Sequence, residues 1–127
     1  MTKLTELKTR LDAARKQVES DARAAFKEAY QEIFERYPAV QSFSWAQYTP
    51  YFNDGEECVF RVNNDPKING ADEYDNESKD IPQKAYLEIR AMLDELPSET
   101  MKAVFGDHVE IIVSRAGEPR IEEYSHD

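Results

Sequence analysis

The chain has one cysteine, Cys58, only four glycines and two histidines among its 127 residues. A lone thiol forbids an internal disulfide, and the economical expectation is a reducing cytoplasm. With so few glycines there is no Gly-rich phosphate loop and no G-x-S-x-G elbow, which removes P-loop and serine-hydrolase chemistry. No apolar run approaches the roughly 18 residues of a membrane helix. The opening "MTKLTELKTRLDAARK" alternates charge with Leu and lacks the apolar segment of a signal peptide. Positive charge is scarce too: 16 Lys and Arg face 26 Asp and Glu, a formal net charge of -10. Such a field repels phosphate backbones, so direct nucleic-acid binding is disfavoured and basic proteins become the natural electrostatic partners.

Seven Tyr, six Phe and one Trp offset a mean hydropathy of -0.77 and argue against general disorder. A chain of this length builds one domain around one core, over residues 1–127.

The first third reads as one helix. Leu4, Leu7, Leu11, Ala14 and Val18 alternate steps of three and four, as in a coiled-coil seam. A wider stripe follows through Ala22, Ala25, Phe26, Ala29, Tyr30, Ile33, Phe34 and Tyr37, and Pro38 ends it. About 34 helical residues span on the order of 50 Å, whereas a six-residue strand spans about 20 Å. The helix therefore overhangs any sheet this chain builds, and residues 1–18 are expected to find their partner in a second copy. Leu4, Leu7, Leu11 and Val18 are the expected dimerisation contacts. Two and a half heptads are marginal alone, so fraying of this end is the competing expectation.

"FSWAQYTPYFNDGEECVF", residues 43 to 60, raises the question of whether its aromatics and acids wall an active site. Phe43 and Trp45 alternate with Ser42 and Ser44, Cys58, Phe60 and Val62 alternate with Val59 and Arg61, and Asn53-Asp54-Gly55 lies between. That is a hairpin pattern and needs no catalysis. Residues 63–80, with four Asn and six acids, read as an acidic loop without the order of a calcium-binding hand. Asp80 with Gln83 resembles a capping box opening a second helix, with Ile81 and Pro82 in its first turn. Its buried stripe is Ala85, Tyr86, Ile89, Met92, Leu93 and Leu96. Ser98 caps a third helix that closes at Gly106. Val109, Ile111 and Val113 begin a second hairpin, turning at Arg115-Ala116-Gly117-Glu118 and returning from Pro119 to Tyr124. The expected fold is α+β, order α-β-β-α-α-β-β: a long helix and a helix pair on one face of a four-stranded, mostly antiparallel sheet.

Three places draw functional expectations. Tyr48, Tyr51 and Phe52 flank the first turn beside Asp54, Glu56 and Glu57, an aromatic and acidic surface suited to a partner protein. Solvated carboxylates at a turn keep ordinary acidities, which argues against acid–base work. Asp107, His108 and His126 lie near opposite ends of the last hairpin, with Asp127 beside them. They are the candidate metal ligands of a rival reading, a small metal-dependent hydrolase. Cys58 falls on an apolar strand face, where a thiol packs rather than reacts. No cofactor is indicated.

The strings "FSWAQYTPYFNDGEECVFRV" and "FGDHVEIIVSRAGEPRIEEYSHD" resemble a group of small acidic proteins of bacteria and their tailed phages. The resemblance covers about a third of the chain and implies a shared hairpin-based domain, without an activity or ligand. A phage origin implies a host-directed binding role. The leading expectation is a non-enzymatic cytoplasmic homodimer that binds a protein, one that itself grips nucleic acid being the natural target. A structural component docked through the long helix is a third possibility.

Overall fold

A computed structural model describes residues 2–50, 59–63, 65–71 and 81–124. Helix α1 runs over Lys3–Arg36. Thr2 caps it, its hydroxyl accepting the Thr5 N–H at 3.1 Å. Its far end closes where Tyr37, ahead of Pro38, leaves helical geometry. Strand β1 (Ser42–Tyr48) follows, then the two-residue strands β2 (Arg61–Val62) and β3 (Lys67–Ile68). Helices α2 (Gln83–Glu95) and α3 (Ser98–Phe105) lead to β4 (Val109–Ser114) and β5 (Arg120–Glu123).

Among the described residues the sheet has five strands, one more than the alternation pattern predicts, and every pairing is antiparallel. β1 is its centre. One edge of β1 pairs with β4 from Ser42↔Ser114 to Gln47↔Val109. Its other edge pairs with β2 at Gln47↔Val62 and with β3 at Phe43↔Ile68. β1 and β2 pair antiparallel, as the two strands of the expected first hairpin would, with Phe60 buried and Val59 exposed as the alternation requires; the expected turn at Asn53-Asp54-Gly55 lies outside the described residues. The expected loop of residues 63–80 is corrected: it contributes β3, and its Pro66 and Ile68 are fully buried. Asn69 holds this strand in place. At φ 54° its side-chain oxygen accepts the N–H groups of Gln41 and Ser42, and its amide donates to the Ala39 carbonyl.

Two helix starts also differ from expectation. α2 begins at Gln83 after an extended Pro82 with no side-chain cap bond, so Ile81 and Pro82 precede the helix, and Asp80 lies outside the described residues. Pro97, not Ser98, occupies the cap of α3, and its carbonyl accepts the N–H groups of Thr100 and Met101. In both places a proline sits just before the helix with its fixed φ, and no side-chain acceptor is used. Gly106 ends α3 at φ 104°, a backbone region that favours glycine.

Helices cover one face of the sheet, and aromatic rings fill the gap. Phe43 and Trp45 of β1 lie near-parallel at 5.9 Å, and Phe105 meets Trp45 edge-on at 5.3 Å. Phe26 packs on Trp45 at 5.4 Å, while Tyr30 and Phe34 reach Phe43. Of the described aromatics of residues 43–60, Phe43, Trp45 and Phe60 are buried, and Tyr48 is half-buried. Burial, and secondarily Glu118, raises the Tyr30 phenol above its usual acidity range. Arg115, just past β4, donates through one guanidinium nitrogen to the Tyr37, Pro38 and Val40 carbonyls and stands 5.2 Å over the Phe34 ring. A cation there satisfies chain carbonyls at the end of α1.

Candidate functional site

Only the second half of α1 takes part in this core. Its buried residues are Ala22, Phe26, Tyr30, Ile33 and Phe34, and none from 3 to 21 is buried. Leu4 is 77% exposed, Leu7 49%, Leu11 57% and Val18 56%. The expected dimerisation residues are thus an apolar stripe open to solvent, on a helix of 34 residues. At 3.6 residues per turn, this stripe lies about a quarter-turn around from the buried face. The same line continues down α1 through Ala25, Ala29, Glu32 and Arg36.

Two open grooves follow that line. The first, about 830 Å³, runs between Leu11, Ala14 and Val18 of α1 and Thr100 and Ala103 of α3. The second, about 380 Å³, runs between α1 and α2, with Ala25, Ala29, Ala91 and Leu96 among its lining residues. Glu32, Glu88 and Glu95 also line it, and Arg36 pairs with Glu32 and Glu88. Glu88 accepts a hydrogen bond from the Tyr37 phenol, which with partial burial pushes that phenol's pKa up.

A second polar cluster gathers where β1, α3 and β4 meet. Gln47 is fully buried, its side chain on the same strand face as Phe43 and Trp45. Its amide donates to the Met101 carbonyl at 2.9 Å and the Gly106 carbonyl at 2.8 Å. Its oxygen accepts the Trp45 indole N–H at 3.0 Å. Gln47 therefore joins sheet to helix, its amide bonding carbonyls of α3 and of the Gly106 that closes it. Nothing in composition marks it, but its place two residues beyond Trp45 in an alternating strand sets it facing inward.

Asp107 sits beside this junction. One carboxylate oxygen accepts the N–H groups of Thr49 at 2.8 Å and His108 at 2.9 Å, and the other accepts the Thr49 hydroxyl at 2.7 Å. Burial pushes this carboxyl up, but the Thr49 and His108 hydrogen bonds and the His108 charge outweigh it and hold the group below its ordinary pKa. His108 adopts φ 54°, reversing the chain into β4, and its Nε2 lies 3.8 Å from Asp107. The geometry is that of a clamp between the end of β1 and the start of β4.

Of the three expected metal ligands, Asp107 and His108 are adjacent and His126 lies outside the described residues. Among the described residues no three His, Cys, Asp or Glu side chains gather as a metal-holding group. Of the expected partner contacts, Tyr48 is half-buried and tilts against Tyr124 at 5.5 Å, while Tyr51, Phe52, Asp54, Glu56 and Glu57 lie outside the described residues, as does Cys58. No helix among the described residues is long and apolar enough to cross a membrane. Comparison with protein-family models, with curated proteins and with solved structures finds no match for this chain.

Two outcomes test the junction. Replacing Gln47 by Leu strands two carbonyls and the Trp45 N–H, and should lower unfolding free energy by about 2–3 kcal/mol in denaturant titration. A loss near zero would show that the bonds contribute nothing net. Asp107 has a depressed folded pKa, so its stabilisation is present above the unfolded value, about 3.9, and fades as pH falls through the folded one. Asp107→Asn should therefore destabilise most near neutral pH and progressively less in acid. An Asn variant whose deficit stays constant from pH 7 to pH 2 would refute this account.

Proposed function

We propose that this chain acts by binding proteins rather than by catalysis. It pairs with a second copy through residues 3–18 and offers its acidic body to a basic protein partner in the cytoplasm, one that itself grips nucleic acid. The observation that carries the reading is the exposure of Leu4, Leu7, Leu11 and Val18 on a helix whose other half is committed to the core. Water contact with four large apolar side chains on one line costs free energy that association recovers, at roughly 25 cal/mol per Å². The charge distribution supports the second half of the reading. Residues 37–127 hold nineteen acidic and eight basic side chains, while residues 1–36 are close to neutral. An acidic surface draws basic partners together faster and discriminates among them by sign.

Sedimentation of the purified chain should give a dimer, and the double variant Leu7→Glu, Leu11→Glu should sediment as a monomer with an unchanged near-ultraviolet circular dichroism spectrum. A wild-type chain that stays monomeric at the highest attainable concentration ends the dimer reading. For the partner, binding of cellular proteins to the immobilised chain should weaken as salt rises and on replacing Asp54, Glu56 and Glu57 by Lys. Binding indifferent to both changes would remove the acidic surface from the account.

A further inference from the structure

The copies cannot simply lay one leucine stripe on the other. Of the positions that flank the stripe, Lys3, Arg10 and Gln17 on one side and Lys8 and Arg15 on the other, four of the five are basic. In a parallel pair these flanks face each other as Lys3 with Lys8 and Arg10 with Arg15. In an antiparallel pair confined to residues 3–18 each flank faces its own copy. Either way cation meets cation, at the positions that normally set partner choice. Sixteen residues of seam are also marginal for a stable coiled pair.

The rest of α1 supplies what the stripe lacks. Residues 3–18 hold five basic and two acidic side chains, and residues 19–36 hold three basic and five acidic. The helix is electrically polar along its length, in a sense that favours an antiparallel neighbour. Along the same helical line the second half presents the small residues Ala25 and Ala29, which with Ala91 and Leu96 form an apolar groove of about 380 Å³ bearing Glu32, Glu88 and Glu95 against one cation, Arg36, which pairs with Glu32 and Glu88 and leaves the rim net acidic. Leucines flanked by cations fit an alanine-lined groove flanked by acids.

Resting on the homodimer reading above, we infer that the two copies pair antiparallel along the whole of α1, the leucine end of each seated in the α1/α2 groove of the other. Leu7 then lies beside Glu32 of the other copy, Leu11 reaches the Ala29 region, and the two-fold axis passes near residues 19 and 20. The contact runs about 50 Å instead of the roughly 24 Å of a stripe-on-stripe pair, and each copy fills the other's groove.

Disulfide trapping in a Cys58→Ser background distinguishes the arrangements. Leu7→Cys and Glu32→Cys both change exposed positions. The two variants, one bearing a size tag, are mixed reduced, left to exchange and then oxidised. The expected product is the mixed disulfide as the dominant covalent species, with little self-linking of Leu7→Cys alone. Self-linking of Leu7→Cys without the mixed product would mean parallel stripes, overturning this arrangement while leaving the homodimer intact. A sample that sediments as a dimer yet traps no mixed product also overturns it. A monomer under the same conditions removes the homodimer itself, and the groove then takes another occupant.

Discussion

A rod of about 50 Å is attached to a sheet whose central strand spans about 23 Å, and the molecule is organised around that disparity. Only the part of α1 from Ala22 onward stands over the sheet, and its apolar residues become core there. The earlier part carries the same class of residue, in similar spacing, but its large apolar side chains stay exposed, with only an open groove against α3 beside Leu11, Ala14 and Val18. Position along the rod, not composition, separates the half that stabilises the fold from the half left exposed.

Within the body, β1 is the member on which the other pieces depend. It pairs along both edges, carries Phe43 and Trp45 into the aromatic layer, and brings Gln47 to the end of α3. Its chain then continues into Thr49, where Asp107 grips it. The two short strands β2 and β3 share the edge opposite β4. Neither is long enough to be stable alone, and the buried side chains of Phe60, Pro66 and Ile68 anchor that edge. The polar groups in this region tie chain segments together, which is why Asp107 reads as a structural clamp.

Much of this was legible in the amino acids because long periodic segments announce themselves. α1 follows from its unbroken stripe and Pro38, α2 from five of its six expected core residues being buried, and β4 from Ile111 and Val113. β3 was not legible: two residues in a run of Asn and Asp carry no period, and Ile68 alone signals burial. The helix starts misled because Asp80-x-x-Gln83 and Ser98 have the chemistry of caps, whereas prolines at 82 and 97 settle the backbone first. The polarity of Gln47 hides its burial, although strand parity points it inward. The exposed stripe was legible; the groove that matches it was not, because Ala91 and Leu96 come from a helix sixty residues away.

Charge acts on such a molecule at two ranges, with opposite signs. Two chains of formal net charge -10 repel as they approach, an effect that salt confines to roughly the Debye length, about 8 Å at physiological ionic strength. In the antiparallel pair proposed above, the basic first half of α1 would meet acidic side chains at contact distance, where attraction opposes that repulsion. Salt screens the long-range term more completely than close pairs at a partly dry seam. An acidic surface of this kind therefore opposes indiscriminate clustering of copies while leaving one orientation favoured. The same basic stretch, once covered by another chain, no longer offsets the acidity of the body. Association of copies would then expose a more uniformly acidic exterior to whatever basic surface comes next.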